Sequence, residues 1–416
     1  LCDKLKISGL VFSSGSRDYF FLDDQAVTFR PNPHFSHWCP VRSPDHFLVV
    51  RPGMKPQLIL LQPDDFWHNV EDFSQANFLS EFDYKLTTTK EASYKEILPY
   101  KDFGFIGPAN DKIHQMGFQV NDQKILAYLD WQRAVKTSYE INCIAEANKL
   151  AASAHLAARA AFFEGKTEFQ VHQAYLNELL CDAEDLPYGS IIGFNEKAAI
   201  LHYQHKRKKL SGKVMLIDAG ATYLGYCSDI TRTYALPDKS KVFSKLLLAM
   251  ESLQQDLCCD VKEGVEFADL QRKSHMQLAS ILLELEILKG VDVQQAFQQG
   301  LTKVFYPHGL GHMLGVQVHD VGGKQKDENG TLCEKLDDFP SLRLNRPLRK
   351  GEVVTIEPGC YFIPMLLNPK KQSHLSQYFN WPLIESLVSF GGVRIEDNLL
   401  VQEQTPRNLT REVLRG

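Results

Sequence analysis

Asp218 and Asp229 lie within the stretch 214–234, VMLIDAGATYLGYCSDITRTY. Val214 to Asp218 and Ser228 to Tyr234 are rich in β-branched and apolar residues, and the Gly-containing stretch between them reads as a hairpin connection. With the turn centred on Tyr223 and Leu224, the two aspartates stand directly opposite each other and share one face. Like charges facing each other across a ladder destabilise it. A fold that puts them there neutralises them, by a shared proton or a bound cation. An isolated pair is more often a turn cap and a solvated strand residue, so the reading depends on partners.

Three downstream stretches supply them. YPHGLGHMLGVQVHDVGG at 306–323 carries His308, His312 and His319; TIEPG at 355–359 carries Glu357; GGVRIEDN at 391–398 carries Glu396. A lone histidine is usually a satisfied polar residue, but three among glycines point to ligation. His312 has the best claim, because Gly309 and Gly311 let the backbone approach a metal or substrate closely; His308 and His319 flank it. Glu357 precedes Pro358 and Gly359, which end a strand and leave the carboxylate at its mouth. Four carboxylates and one imidazole suit Mn²⁺, Co²⁺ or Zn²⁺ and balance two divalent ions. Arg394 is two residues from Glu396 on a strand, hence on the same face. Its guanidinium either holds an anion such as a substrate carboxylate or forms a salt bridge with the ligand carboxylates. The chemistry implied is metal-assisted hydrolysis: water between two cations has a pKa lowered towards neutrality, and Glu357 or a histidine of the cluster moves the proton to the leaving nitrogen.

The elements that must position these groups fit a chain of 416 residues, long enough for two domains or one large one. A net charge of −5 gives no basic surface of nucleic-acid type, and the run His205–Lys209 (HKRKK) reads as a solvated loop. Nine cysteines, an odd number with no C-x-x-C pair, suggest a reduced, cytoplasmic setting. No stretch approaches the roughly 20 apolar residues of a membrane span, and no signal peptide is read. The first residue is Leu1 rather than Met, so a short N-terminal element is expected to precede it.

Residues 1–130 alternate short β-type runs (GLVFSS, HFLVVRP, PQLILLQP, KLTTTK, FGFIG) with polar connections, and helical pattern occurs at 112–117 and 122–129; this is an α/β domain without a ligand set. The second domain, 131–416, opens on a long helix over 136–163, Ala-rich and free of Gly and Pro, with Thr137 and Glu140 as a capping box. Further helices are predicted at 168–180, 243–257 and 267–288. Helix pairs alternating with antiparallel strands hint at a weakly duplicated α+β half. The polar insertions 324–346 and 368–380 read as surface hairpins or lids.

The order IDAG, DITRTY, PHGLGH, VHDVGG, TIEPG and GGVRIEDN resembles the pita-bread metallopeptidases, and within them the bacterial Xaa-Pro dipeptidases (prolidases), a subgroup that includes organophosphorus acid anhydrolases. The likeness extends to FFLDD at 20–24, DDFWHNV at 64–70, RAVKTSYE at 133–140 and PYGSIIGFNEKAAILHY at 187–203. It implies a creatinase-like N-terminal α/β domain followed by a pita-bread α+β catalytic domain. It implies that Asp218, Asp229, His312, Glu357 and Glu396 hold two metal ions, usually Mn²⁺. Asp229 and Glu396 would bridge, His312 and Glu357 complete one ion, and Asp218 the other. His202, His308, His319 and Arg394 match substrate-pocket positions, with Tyr188 lining the pocket. The resemblance further implies a homodimer in which Asp24 of one subunit meets the free amino group of a dipeptide in the other's pocket, and phosphotriester hydrolysis as a side reaction. Xaa-Pro is a tertiary amide with no N–H, so extended-strand recognition fails and the charged ends must be read instead. Related alternatives are aminopeptidase P, acting on longer Xaa-Pro peptides, and a non-catalytic pita-bread scaffold.

Overall fold

The computed structural model describes residues 1–67, 70–73, 76–237 and 240–414, so His68 and Asn69 of the DDFWHNV stretch lie outside the described residues. The chain divides into two units, Leu1–Arg133 with Asp327–Thr331, and Ala134–Lys326 with Leu332–Gly416. A short piece of the first insertion is thus grouped with the N-terminal unit.

The N-terminal unit is built on six strands: β1 (Leu10–Ser13), β2 (Phe47–Val50), β3 (Gln57–Leu61), β4 (Asp83–Thr87), β5 (Gly104–Ile106) and β6 (Gln119–Val120). Their order in the sheet is β4-β3-β2-β1-β5-β6. Side chains alternate across a strand. Leu10, Phe12, Leu48, Leu58 and Leu60 therefore enter one core, while Val11, Phe47, Val49 and Ile59 enter the other. Burial on both faces explains why these strands read as unbroken apolar runs.

The second unit opens on the helix Ser138–Phe163, capped as its sequence suggests: the Thr137 N–H donates to Glu140 Oε2 (2.8 Å) and the Glu140 N–H to Thr137 Oγ1 (3.3 Å). Ala147, Ala151, Ala154, Ala158 and Ala161 form its buried stripe, and such small side chains allow close approach of the helix Glu168–Leu179. Behind this pair lie β7 (Ile191–Phe194), β8 (Val214–Asp218), β9 (Thr222–Tyr223), β10 (Tyr226–Cys227) and β11 (Thr231–Ala235), with β8 central in the order β11-β8-β7. A second pair of helices, Lys241–Asp260 and Phe267–Glu284, precedes β12 (Val353–Ile356), β13 (Gly359–Tyr361), β14 (Gly392–Arg394), β15 (Asp397–Leu400) and β16 (Arg407–Asn408). Bridges Thr231↔Glu396 and Met313↔Val354 join these layers around the candidate site.

Two expectations are corrected. Asp218 stands opposite Thr231, not Asp229. The turn falls one residue later, at Leu224 (φ +48°) and Gly225 (φ +87°), because two successive left-handed residues make the two-residue turn that suits twisted strands. Asp229 comes two positions before Thr231 and still shares a face with Asp218, diagonally. The stretch 368–380 is no hairpin: it runs from the end of the helix Pro364–Lys371 through the 3₁₀ turn His374–Tyr378, and Leu367 and Phe379 pack it into the main core.

Candidate metal centre and active site

Each candidate ligand stands where a strand ends or an irregular segment is pinned to one. Asp218 closes β8. Asp229 lies opposite Gly220, where a Cβ would stand 2.0 Å from the Ser228 carbonyl oxygen, so glycine is required for the close approach. Asn398, fully buried, clamps the Asp229 backbone: its Oδ1 accepts the Asp229 N–H (3.0 Å) and its Nδ2 donates to the Asp229 carbonyl (2.5 Å). Gly311 repeats the device, since a Cβ there would lie 2.0 Å from the Thr355 carbonyl oxygen. His312 and Thr355 are tied by His312 N–H to Thr355 Oγ1 (3.0 Å) and Thr355 N–H to the His312 carbonyl (2.9 Å). Glu357 follows β12 directly and donates its N–H to the Leu310 carbonyl (2.8 Å).

The side chains converge. Asp229, His312 and Glu396 present ligand atoms all within 4.8 Å of one another. With Nδ1 against the Met313 carbonyl (2.9 Å), His312 turns Nε2 towards Asp229 Oδ2 (3.4 Å) and Glu357 Oε1 (3.6 Å). The Nδ1–H tautomer leaves the Nε2 lone pair free to ligate. Glu396 Oε2 accepts from Thr231 Oγ1 (2.7 Å), whereas its Oε1 is buried without a hydrogen-bond partner. A buried carboxylate oxygen with nothing to accept is costly. Tyr188 points its hydroxyl at both Asp218 Oδ1 (2.7 Å) and Asp229 Oδ1 (2.5 Å), although one hydrogen serves only one of them.

Electrostatics carry the same message. Burial raises the pKa of Asp229, with Asp218 adding to it and His312 opposing; burial with Asp229 and Glu357 raises Glu396 well above the carboxylate range; burial pushes Glu357 up to about 7. Burial opposes a charge on His312, but Asp229 and Glu357 outweigh it and raise its pKa. Anionic groups gathered in the interior take up protons where no cation balances them. The donor set, oxygen-rich with one imidazole nitrogen and one orphaned oxygen, fits a hard or borderline divalent ion.

All five expected ligands, with His202, His308, His319 and Arg394, line one cavity of about 300 Å³. Tyr188 is not in that wall, contrary to expectation; it stands half-buried behind the aspartates it touches. Asp24 lies in the N-terminal unit, exposed on a hairpin whose Tyr19 and Ala26 pair and whose Phe21 and Leu22 are 91% exposed.

Of the two roles open to Arg394, the geometry supports the internal salt bridge. Its Nε donates to Thr231 Oγ1 (3.2 Å), Nη1 to the Tyr361 hydroxyl (2.9 Å) and Nη2 to Asp218 Oδ2 (2.6 Å), and the side chain is 5% exposed. Tyr361 passes the chain on, its O–H facing His308 Nε2 (2.8 Å), while His308 Nδ1–H faces the Gly309 carbonyl (2.9 Å). Burial and the neighbouring Arg394 push the His308 pKa down to about 3, so the ring is neutral. Both its nitrogens are engaged by protein groups. His319 differs: it meets the His312 ring edge-on at 4.4 Å and has no hydrogen-bond partner among the described residues. The loop bearing it is fixed by the fully buried pair Lys136–Asp320 (2.9 Å).

Sequence reasoning missed Tyr361, Asn398 and Arg343. Arg343, exposed and in the same cavity wall, sits in a polar insertion with no motif to mark it. Tyr361 follows the EPG motif by two residues but reads as ordinary apolar strand. Asn398 belongs to the IEDN motif, where only a partner distant in sequence reveals its role.

Residues 142–403 match the family described as metallopeptidase family M24, and residues 1–131 match the Xaa-Pro dipeptidase N-terminal domain. An Xaa-Pro dipeptidase of Shewanella woodyi is 43% identical over 412 residues, covering 98% of this chain and 93% of the relative. One of Shewanella baltica is 44% identical over 416 residues with the same coverage. Among solved structures, aminopeptidase P from Escherichia coli superposes with a TM-score of 0.75 at 21% identity, covering 98% of this chain and 92% of that one, a likeness of fold alone. The converging carboxylates, the histidine tautomer and the two-unit plan thus meet a whole-chain match in sequence, and this chain belongs to metallopeptidase family M24, with the N-terminal domain of the Xaa-Pro dipeptidases.

Proposed function

We propose that this chain hydrolyses Xaa-Pro dipeptides at a centre of two divalent ions, Mn²⁺ before Co²⁺ or Zn²⁺. Asp218, Asp229, His312, Glu357 and Glu396 would hold the ions, with Asp229 and Glu396 central to the set. The observation that carries this reading is the convergence of Asp229, His312 and Glu396 within 4.8 Å, with Glu396 Oε1 buried and unpartnered. When bound, such ions supply Lewis acidity and activated water.

The chain's own residues supply recognition and proton movement. Arg394 is committed to Asp218 and Tyr361, so it aligns Asp218 rather than reading the substrate. The guanidinium left on the cavity wall is that of Arg343, which we assign to the proline carboxylate; a planar fork suits a carboxylate. His202 stands on the same wall. His319, with both ring nitrogens open, and Glu357 are the groups we assign to carry a proton to the leaving proline nitrogen, while both nitrogens of His308 are taken by Tyr361 and Gly309. A cavity of about 300 Å³ suits a dipeptide read at both ends.

A homodimer in which Asp24 of one subunit meets the substrate ammonium in the other completes the proposal; its exposed, apolar-tipped hairpin supports this. A reducing, cytoplasmic setting suits nine free thiols. Phosphotriester hydrolysis would follow as a side reaction, since tetrahedral phosphorus resembles the intermediate of amide hydrolysis. Assay of Leu-Pro against Leu-Pro-Gly, with and without a chelator, tests the reading. Hydrolysis of the dipeptide alone, abolished by chelation, is expected; preference for the tripeptide means aminopeptidase activity, and no hydrolysis of either means a scaffold.

A further inference from the structure

The basic run His205–Lys209 is a loop in which His205, Lys208 and Lys209 are exposed, as expected, while Lys206 and Arg207 are half-buried. Residues 200–210 belong to no helix or strand, yet they place Leu201 and His202 in the cavity wall. What holds them is Glu168, the first residue of the helix Glu168–Leu179, fully buried and far from the metal ligands in sequence. Its Oε1 accepts from Phe194 N–H (2.8 Å), Arg207 Nε (3.0 Å) and Arg207 Nη2 (2.8 Å). Its Oε2 accepts from Arg207 N–H (2.6 Å) and the Tyr203 hydroxyl (2.9 Å). Arg207 also reaches Glu196 (2.9 Å) and the Phe194 carbonyl (2.8 Å). The flanking lysines serve the same strap: Lys206 Nζ donates to the Ser190 carbonyl (2.8 Å), and Lys208 lies over the Phe169 ring at 5.2 Å.

We propose that Glu168, Arg207 and Tyr203 form a buried clamp that sets the position of His202 at the mouth of the active-site cavity, and so tunes the affinity for the dipeptide without touching it. A buried carboxylate whose Oε1 takes two guanidinium nitrogens and whose Oε2 takes the Arg207 N–H and the Tyr203 hydroxyl has one geometry, not an ensemble. The residue next to Tyr203 inherits that geometry. These are positioning residues, and small displacements of a substrate-contacting group cost affinity steeply. The inference rests on the dipeptidase reading of the cavity.

Steady-state hydrolysis of Leu-Pro by the full chain loaded with Mn²⁺ tests it, using Tyr203→Phe, Arg207→Lys, Arg207→Met and His202→Ala, each assayed for metal content. Arg207→Met is expected to raise KM about 10- to 100-fold with kcat and bound metal little changed. Arg207→Lys recovers part of that loss, and Tyr203→Phe shows a smaller rise in KM. In a His202→Ala background, Arg207→Met or Tyr203→Phe is expected to add no further rise. Full additivity with His202→Ala, loss of metal and kcat together, or an unchanged KM in Tyr203→Phe and the Arg207 variants that fold would overturn the clamp. If His202→Ala alone leaves KM unchanged while wild type hydrolyses Leu-Pro, the clamp has no target and fails although the dipeptidase reading stands. If wild type hydrolyses no dipeptide, that reading fails first.

Discussion

Replacing Arg343 by Met removes a cation from the cavity wall while leaving a side chain of similar length. Arg394, the guanidinium nearest the ligands, has all three nitrogens on Thr231, Tyr361 and Asp218. Arg343 is exposed in the wall and is therefore the group free to bond a carboxylate. A hydrogen bond to a charged group contributes about 1.5–3 kcal/mol, which converts to a loss of about 10- to 150-fold in kcat/KM for Leu-Pro. Because the contact is made in ground and transition states alike, the loss should fall on KM. Leu-prolinamide, which lacks the carboxylate charge, provides the control. Wild type should prefer the acid by that factor, and Arg343→Met should have nearly lost the preference. Arg394→Met should behave differently, losing kcat and bound metal as Asp218 is released. An Arg343→Met enzyme that still prefers the acid as strongly as wild type would refute the assignment.

Three further outcomes are expected. Asn398→Ala removes both bonds to the Asp229 backbone and should weaken metal binding by about 10- to 100-fold, measured by titration, with the folded circular-dichroism spectrum retained. Asp24→Ala should raise KM for dipeptides far more than it alters metal content; equal losses in both would reject a substrate role. His46, His155 and His275 are buried and held at about 4 by burial, against about 6.5 in the unfolded chain. Between those values the unfolded chain binds more protons. Stability is therefore full above pH 6.5 and falls towards pH 4, by about 3 kcal/mol for each histidine; a Tm flat from pH 7 to pH 5 would contradict this.

What the sequence made legible was local. The helix Ser138–Phe163 announces itself through an alanine stripe and a capping box, and the ligand motifs are marked by glycines that a close approach demands, as at Gly220 and Gly311. The hairpin turn falls one residue later than expected, which moves the pairing by two, because Leu224, not a glycine, takes the first left-handed position. The helical form of 368–380 was hidden because its anchors, Leu367 and Phe379, enter a core assembled from distant segments. The same holds for Arg394. Its residue type allowed two roles, and the bonds that favour the internal one, to Tyr361 and Asp218, come from other strands. The anchoring of Arg207 within HKRKK was hidden because Glu168, its counter-charge, is 39 residues away.

The central claim is that the inward-facing carboxylates are held together by cations that the hydrolysis requires. Stripping the protein with a chelator, then titrating Mn²⁺ while following bound metal and Leu-Pro hydrolysis in one sample, tests it beside Asp229→Asn. Two equivalents bound per chain with activity rising in step, and neither in Asp229→Asn at an unchanged circular-dichroism spectrum, is the result expected. Full turnover by the stripped protein would contradict it.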